Sequence, residues 1–168
     1  MTEEESRNAA IIRRQHDLLS AGEVDAAVAQ WADPAENHGR PVPRQVIGAI
    51  LRDILRTFPD LSFPIEELVA SGPNVIARCR FRGTHRGVGE LPINGGLMIG
   101  VAPTERFMDV QHLHWYRLAD GLIVAHRANR DDVAMMQQLG LLPPIDFDYR
   151  KLGAAPPPGA ALSGAEPG

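Results

Sequence analysis

Residues 106–127 of this 168-residue chain read RFMDVQHLHWYRLADGLIVAHR, and this stretch decides the fold. Two runs rich in apolar residues, from about Arg106 to Arg117 and from Leu122 to Arg127, flank the dipeptide Asp120-Gly121. Asp-Gly between two such runs is a strong signal for a β-hairpin. The stretch therefore predicts two antiparallel strands joined by a tight turn.

The register of this hairpin decides which histidines share a face of the sheet. A two-residue turn pairs Ala119 with Leu122, and His126 then points away from the face that carries His114. A three-residue turn with a glycine bulge pairs Leu118 with Leu122 and places His114 opposite His126. The residues alone leave both registers open.

Two further strands precede the hairpin. From Val75 to Arg82 apolar residues alternate strictly with Ile76 and arginines, which is typical of an antiparallel strand with one buried face and one wet or interface face. Phe63 to Val69 predicts another strand, which Pro64 confines to an edge or shortens at its start.

The clearest helix runs from about Arg44 to Phe58 and ends at Pro59, because apolar residues recur there at intervals of three and four. We expect this helix to cover the concave side of the sheet, with Ile50 and Ile54 nearly buried.

Three other segments read as helices: Glu4 to Ser20, Val24 to Trp31 and Asp131 to Leu139. Helices followed by a run of antiparallel strands indicate an α+β domain, with about three N-terminal helices packed on a bent antiparallel sheet.

Composition excludes several classes of protein. The net charge is −4, with acidic and basic residues interspersed, so nothing predicts nucleic-acid binding. Cys79 is the only cysteine, which excludes an intrachain disulfide and a cysteine-based zinc site. The acidic start is unlike a secretory signal, and no apolar run approaches the ~20 residues of a membrane span. We therefore expect a cytoplasmic protein without a membrane partner.

One domain is predicted over residues 1–145. The remaining residues, 146–168, end in GAAPPPGAALSGAEPG, a stretch made almost wholly of glycine, alanine, proline and serine. Such a composition buries too little apolar surface to offset the entropy of ordering, so we interpret it as a flexible tail.

Several motifs together resemble one family. They are GTHRG at residues 83–87, GVAPTER at residues 100–106, HWYR at residues 114–117, DGLI leading to His126, and QLG at residues 138–140. In this order they resemble the SnoaL-like polyketide cyclases and the related ester cyclases of the NTF2-like superfamily, over roughly residues 7 to 142. The resemblance implies an α+β cone that encloses an apolar pocket. It also implies an intramolecular aldol ring closure without cofactor or metal, although other members of the superfamily isomerise, hydrolyse or hydroxylate.

This chain departs from the family pattern in two places. Where the family has an aspartate as general acid/base, two residues after a histidine, this chain has Ala128 after His126. An insertion at residues 88–96, rich in glycine and apolar residues, either reshapes the pocket opening or is a neutral surface loop.

The resemblance favours the register in which His112, His114 and His126 face one pocket. We assign His114 and His126 as catalytic candidates, because histidine exchanges protons near neutral pH. Asp131 is the third catalytic candidate, because it is the carboxylate nearest to the missing aspartate, although it also suits an ordinary helix start. Three histidines on one face would also fit a metal triad, but no carboxylate has convincing ligand spacing and the family is metal-free. We expect neither metal nor cofactor.

Further side chains are predicted to bind the substrate. The resemblance places an asparagine on the pocket wall, and Asn37 is the best match, followed by His38 as a substitute base. The other candidates are pocket-wall or core residues: Phe81, His112, Trp115 and Tyr116.

The leading hypothesis is a cofactor-free cyclase or isomerase that acts on a small, hydrophobic, polyketide-like substrate in secondary metabolism. The alternatives are a catalytically silent binding protein, for which Ala128 argues directly, and a hydrolase or hydroxylation component. A homodimer is expected through the outer sheet face, which carries Ile76 and the arginine row.

Overall fold

A computed structural model describes residues 1–92 and 96–144, and within them the chain forms four helices and six strands. The boundary predicted at residue 145 and the predicted tail lie outside the described residues. The helices are α1 (Glu3–Ser20), α2 (Val24–Val28), α3 (Arg44–Thr57) and α4 (Asp132–Gln138). The strands are β1 (Trp31–Asn37), β2 (Arg40–Val42), β3 (Ile65–Ser71), β4 (Asn74–Thr84), β5 (Phe107–Ala119) and β6 (Leu122–Arg130).

The predicted helices are present, with one corrected end. The start of α1 is fixed by a capping box, in which Thr2 and Glu5 each accept a hydrogen bond from the other's backbone N–H. The predicted second helix extends to Trp31, but α2 ends at Val28 and Trp31 begins β1. Trp31 pairs there with Ile123 of β6, so a long-range strand pairing overrides the local helical pattern.

All six strands form one sheet in the order β2-β1-β6-β5-β4-β3. Neighbouring strands are antiparallel except for β1 and β6, which run parallel. The fold class is α+β as predicted, but the sheet is mixed because β1 joins the free edge of β6. This extra strand becomes part of the site, since it carries Asn37.

The alternation predicted along β4 is confirmed. Val75, Ala77 and Cys79 have no exposed surface, whereas Ile76 on the opposite face is 41% exposed. The arginines of that outer face form ion pairs within the chain, such as Arg78 with Glu66. None of the helices in residues 1–92 and 96–144 is long and apolar enough to cross a membrane.

Helix α3 packs against α2 and β1 beside the interior of the fold. Ile47 and Leu51 of its apolar stripe are buried, as the helical spacing predicts. Ile50 and Ile54 are half-buried and not nearly buried, because both line a cavity. The stripe thus serves partly as core and partly as cavity wall.

Candidate functional site

A cavity of about 570 Å³ lies between the helices and one face of the sheet. Its apolar wall comes from α1, α3, β1, β4 and the connecting loops: Leu19, Trp31, Val46, Ile47, Ile50, Leu51, Ile54, Leu61, Phe63, Phe81, Leu91 and Pro92. Its polar side chains come mainly from β1, β2, β5 and β6: Gln15, Asn37, His38, Arg40, His112, His114, Tyr116, His126 and Arg130. The cavity is an apolar container with one polar wall, which is typical of a small-molecule site.

Three histidine rings and one amide form a continuous chain of polar contacts on that wall. His126 Nδ1 lies 2.9 Å from Asn37 Oδ1, and His126 Nε2 lies 2.8 Å from His114 Nδ1. His114 Nε2 in turn lies 3.3 Å from His112 Nδ1. The structure therefore brings four of the predicted site residues together.

A bulge in the hairpin places these histidines on one face. The turn is the two-residue one, with Ala119 opposite Leu122 and positive φ at both Asp120 and Gly121. The register shifts between the pairs Leu118–Ile123 and Arg117–Ala125, because Val124 is an extra residue in β6 that has no partner in β5. A bulge of this kind reverses which side chains of the strand face the core.

The register favoured from the resemblance is therefore wrong, although its consequence is right. Beyond the bulge His126 lies opposite Tyr116, and Ala128 lies opposite His114. His112, His114 and His126 still share the cavity face, because the observed pairing differs from the favoured one by two residues and side chains alternate with a period of two. The parallel strand β1 then brings Asn37 beside His126.

The direction of hydrogen bonding follows from Asn37. A neutral imidazole has one N–H donor and one acceptor nitrogen. With Asn37 Oδ1 as acceptor, His126 Nδ1 donates to it, and His126 Nε2 accepts from His114 Nδ1–H. His114 Nε2 then accepts from His112 Nδ1–H. The chain ends in the lone pair of His112 Nε2, which has no hydrogen-bond partner among the described residues.

Burial keeps all three rings neutral. Burial and, to a smaller extent, the nearby His38 lower the pKa of His126 to about 3. Burial also lowers the pKa of His112 to about 3, with a second contribution from the Arg130 guanidinium. The pKa of His114 is lowered well below its usual value by burial and then by His126. At neutral pH the chain therefore consists of uncharged donors and acceptors.

A second branch leads from His114 to helix α1. The Tyr116 hydroxyl lies 3.4 Å from His114 Nδ1 and 3.0 Å from His16 Nε2, and His16 Nδ1 donates to the Phe63 carbonyl at 3.0 Å. Burial raises the pKa of Tyr116 well above its usual value and lowers that of His16 to about 4.

Sequence reasoning did not single out His16. The available signal was its place on α1: it shares the buried face with Ile12 and Leu19, where a polar residue needs a partner. It also did not single out Arg130, which the bulge turns towards the cavity. That residue could not be found without the observed register.

Two predicted site residues do not line the cavity. Trp115 lies on the opposite face of β5, where its ring is 5.7 Å from the Arg127 guanidinium carbon. Its position between two inward-facing residues of a strand requires this. Asp131 is the N-cap of α4 and accepts a hydrogen bond from the Ala134 N–H at 3.0 Å. The helix-start interpretation of Asp131 therefore describes its position.

The other predicted residues line the cavity. Phe81 stacks on His112 with ring centroids 4.9 Å apart. His38 is exposed, and its ring approaches that of His126 to 5.5 Å. Ala128 also lines the cavity, so the family's carboxylate would lie on this wall.

The insertion is attached to helix α3 by a buried carboxylate. Asp53, which is 2% exposed, accepts hydrogen bonds from the backbone N–H groups of Glu90 and Leu91, each at 3.1 Å at its closest. Leu91 and Pro92 line the cavity. These two residues thus contribute to the cavity wall, which favours the pocket-shaping interpretation for this part of the insertion. Residues 93–95 lie outside the described residues.

In the part of the chain that the structure describes, no three His, Cys, Asp or Glu side chains are grouped as metal ligands. The nitrogens of His112, His114 and His126 contact one another instead of converging on a common point.

Solved structures share this fold. IdmH from Streptomyces antibioticus, a candidate polyketide cyclase, is 26% identical, with a TM-score of 0.64 over 79% of this chain and 98% of IdmH. A SnoaL-like polyketide cyclase from Agrobacterium tumefaciens is 24% identical, with a TM-score of 0.64 over 77% of this chain and 95% of that one. AclR from Streptomyces galilaeus, a candidate hydroxylase, is 19% identical, with a TM-score of 0.69 over 83% and 99%. These similarities confirm the predicted NTF2-like cone.

No curated protein matches the chain by sequence. The sequence profile of the SnoaL-like polyketide cyclases matches residues 9–139, which is most of the described chain. The chain therefore belongs to the SnoaL-like polyketide cyclase family.

Proposed function

We propose that the chain is a cofactor-free cyclase or isomerase that removes a proton next to a carbonyl group of a polyketide-like substrate. The observation that carries this proposal is the chain of neutral side chains from Asn37 to His112, which ends in a free imidazole lone pair. We further propose that the substrate belongs to cytoplasmic secondary metabolism.

His112, rather than His114, is the proposed base. Both ring nitrogens of His114 are engaged, whereas Nε2 of His112 has no partner among the described residues. His114 and His126 position His112 and fix its tautomer, as an orienting group does for a catalytic histidine. This assignment differs from the sequence-based one, which ranks His114 first because the family resemblance points to its position.

The proposed reaction proceeds in two proton steps. His112 Nε2 takes a proton from the carbon beside a carbonyl, and the resulting enolate carbon attacks a second carbonyl of the same substrate. The new alkoxide then takes the proton back from His112, so no proton is gained or lost overall. The amide NH₂ of Asn37, to which no described residue offers an acceptor, can donate to a substrate oxygen.

The proton step can be tested without knowing the substrate. 2-Tetralone is a bicyclic ketone with acidic protons beside its carbonyl, and their exchange for deuterium in D₂O is followed by proton NMR. We expect the protein to accelerate this exchange and His112→Gln to reduce the acceleration by ~10²-fold or more, the usual contribution of a general base. His114→Gln should reduce it as well, because it breaks the chain that orients His112.

Arg117→Gln is the matched control, because Arg117 is exposed on the outer face of β5. Circular dichroism establishes that each variant is folded. An unchanged exchange rate in folded His112→Gln would contradict the assignment of the base.

A binding protein without catalysis is the second candidate, and Ala128 is the observation that favours it. The cavity wall lacks the family's carboxylate, and its histidines are weakly basic. Binding of 2-tetralone without any acceleration of exchange would support this alternative.

We also propose a homodimer that forms through the outer sheet face. Val69, Ile76 and Trp115 lie side by side there on β3, β4 and β5, and the first two are 55% and 41% exposed. Light scattering should give twice the chain mass of 18.3 kDa, and a monomer at micromolar concentration would contradict the proposal.

A further inference from the structure

The permanent charges among the described cavity-lining residues are all positive. They belong to Arg40 and Arg130, whereas no aspartate or glutamate is among those residues. The cavity histidines are neutral at pH 7, so they contribute no charge of either sign. An apolar cavity whose charged lining residues are all positive favours a ligand that carries a negative charge.

Arg130 is the cation closest to the proposed base. It lies opposite His112 across the β5–β6 pairing, on the same face of the sheet. Its guanidinium lowers the pKa of His112, His114, His126 and His38, in each case after burial. One positive charge therefore acts on all four cavity histidines.

The guanidinium of Arg130 is largely unengaged. Its one ion pair joins Nε to Asp132 Oδ1 at 3.4 Å, and these two atoms do not form a hydrogen bond. No described residue accepts a hydrogen bond from the two Nη groups. The side chain of Arg130 is 22% exposed, so its charge is only partly screened by water.

Arg40 lies at the solvent-exposed side of the same cavity. It is in β2, directly opposite Asn37, and it has no acidic partner among residues 1–92 and 96–144. The two arginines thus offer guanidinium groups with free N–H donors at an inner and an outer position of one cavity.

We propose that the ligand of this cavity carries a carboxylate, which Arg130 binds with its Nη groups and Arg40 attracts from the solvent side. The planar guanidinium matches a carboxylate with two parallel hydrogen bonds, which makes arginine well suited to this task. This inference rests on the proposed function, because it takes the cavity as the substrate site.

The bound carboxylate has a consequence for the base. Its negative charge offsets the Arg130 charge that lowers the pKa of His112, and it lies beside that ring. An acidic substrate thus makes His112 more basic when it binds, whereas a neutral ester of the same shape does not.

The test uses 3-hydroxy-2-naphthoic acid, which is ionised at pH 7.5 and fluorescent, and its uncharged methyl ester. Fluorescence titration with the full chain measures the dissociation constant of each. We expect the acid to bind about 10-fold or more tightly than the ester, as for a charge-assisted pair. Arg130→Gln should remove this preference, Arg40→Gln should reduce it, and Arg117→Gln on the outer face should preserve it.

A variant that fills the cavity separates the possible failures. Ala128→Phe should abolish binding of both probes if they occupy the cavity. Equal affinity of acid and ester, both abolished by Ala128→Phe, overturns the carboxylate proposal and leaves the proposed function standing. Binding of both probes that is unaffected by Ala128→Phe lies outside the cavity and contradicts both proposals.

Discussion

Polar side chains are neutral on one face of strands β4 and β5 and ionised on the other. On the cavity face, burial lowers the pKa of His112 to about 3 and raises that of the Cys79 thiol to about 12, so both groups stay neutral. On the outer face, one residue away, the Arg80 guanidinium donates to the Asp109 carboxylate at 2.7 Å, and both remain partly exposed.

This difference shows that exposure to water, more than position in the strand, decides whether a polar group is ionised or neutral. Water stabilises the ions of the outer face, whereas the cavity wall replaces water with hydrogen bonds between uncharged groups. A charged side chain should therefore destabilise the cavity face much more than the outer face, and this difference can be measured.

The largest effect is expected when an arginine, the residue type common on the outer face, replaces a buried residue of the inner face. Ala77 is fully buried opposite His114, and its neighbour Ile76 is 41% exposed. Ala77→Arg should lower the free energy of unfolding by about 4 kcal/mol or more, because it buries an unpaired charge and overpacks the core. At protein concentrations at which the chain is monomeric, Ile76→Arg should change it by less than about 0.5 kcal/mol. Urea unfolding followed by circular dichroism measures both, and similar stabilities would contradict the comparison.

The next effect is a loss of stability in mild acid. The folded pKa of His112 and of His126 is about 3 and that of His16 is about 4, whereas the unfolded values are about 6.5. Below pH 6.5 the unfolded chain therefore binds protons that the folded chain does not. The free energy of unfolding should fall by about 1.4 kcal/mol per pH unit for each histidine, and these groups should cause no change above pH 7.

Urea unfolding between pH 7 and pH 5 tests this slope, before most carboxylates titrate. His126→Asn is the matched variant, whose slope should be shallower by about one histidine's contribution. A stability that stays flat from pH 7 to pH 5 would show that the rings of the folded chain bind protons as readily as those of the unfolded chain.

The smallest effect is expected on the outer face. Asp109 accepts from Arg80 at 2.7 Å and pairs with Arg82 at 3.0 Å, with all three side chains at least a quarter exposed. Asp109→Ala should cost at most about 1 kcal/mol, because solvent screens these pairs. Repeating the urea titration in 0.5 M NaCl should shrink the difference further, since the Debye length falls to a few ångströms at about that ionic strength. A cost that resists salt would mean that the outer face is less wet than its exposure indicates.

Most of the fold could be predicted from the sequence. The strict alternation in β4 and the Asp120-Gly121 turn are local patterns, and the structure contains the strand and the turn that they predict. Strand β1 was missed, because Trp31 sits at the end of a helical pattern and the strand exists only through its parallel pairing with β6. A strand that forms only by pairing with a distant strand has no clear pattern of its own in the sequence.

The candidate site was predictable in part for the same reason. The alternation of His112 and His114 placed them on one face, and the resemblance added His126 and Asn37. The order of the rings was not predictable, because it depends on distances between strands that no spacing reports. His16 was missed because its partners lie 47 and 100 residues away.

The extra residue Val124 makes the composition of the polar wall depend on the bulge. If Val124 were paired regularly with β5, His126, Ala128 and Arg130 would turn to the outer face and their neighbours inward, which would exchange half of the polar wall at once. Deletion of Val124 would preserve the facing, because Arg117 already pairs with Ala125 beyond it. A relative that is one residue shorter here can therefore keep the same wall by lacking the bulge, so relatives have to be compared by which side chains of β6 face the cavity, and not by length alone.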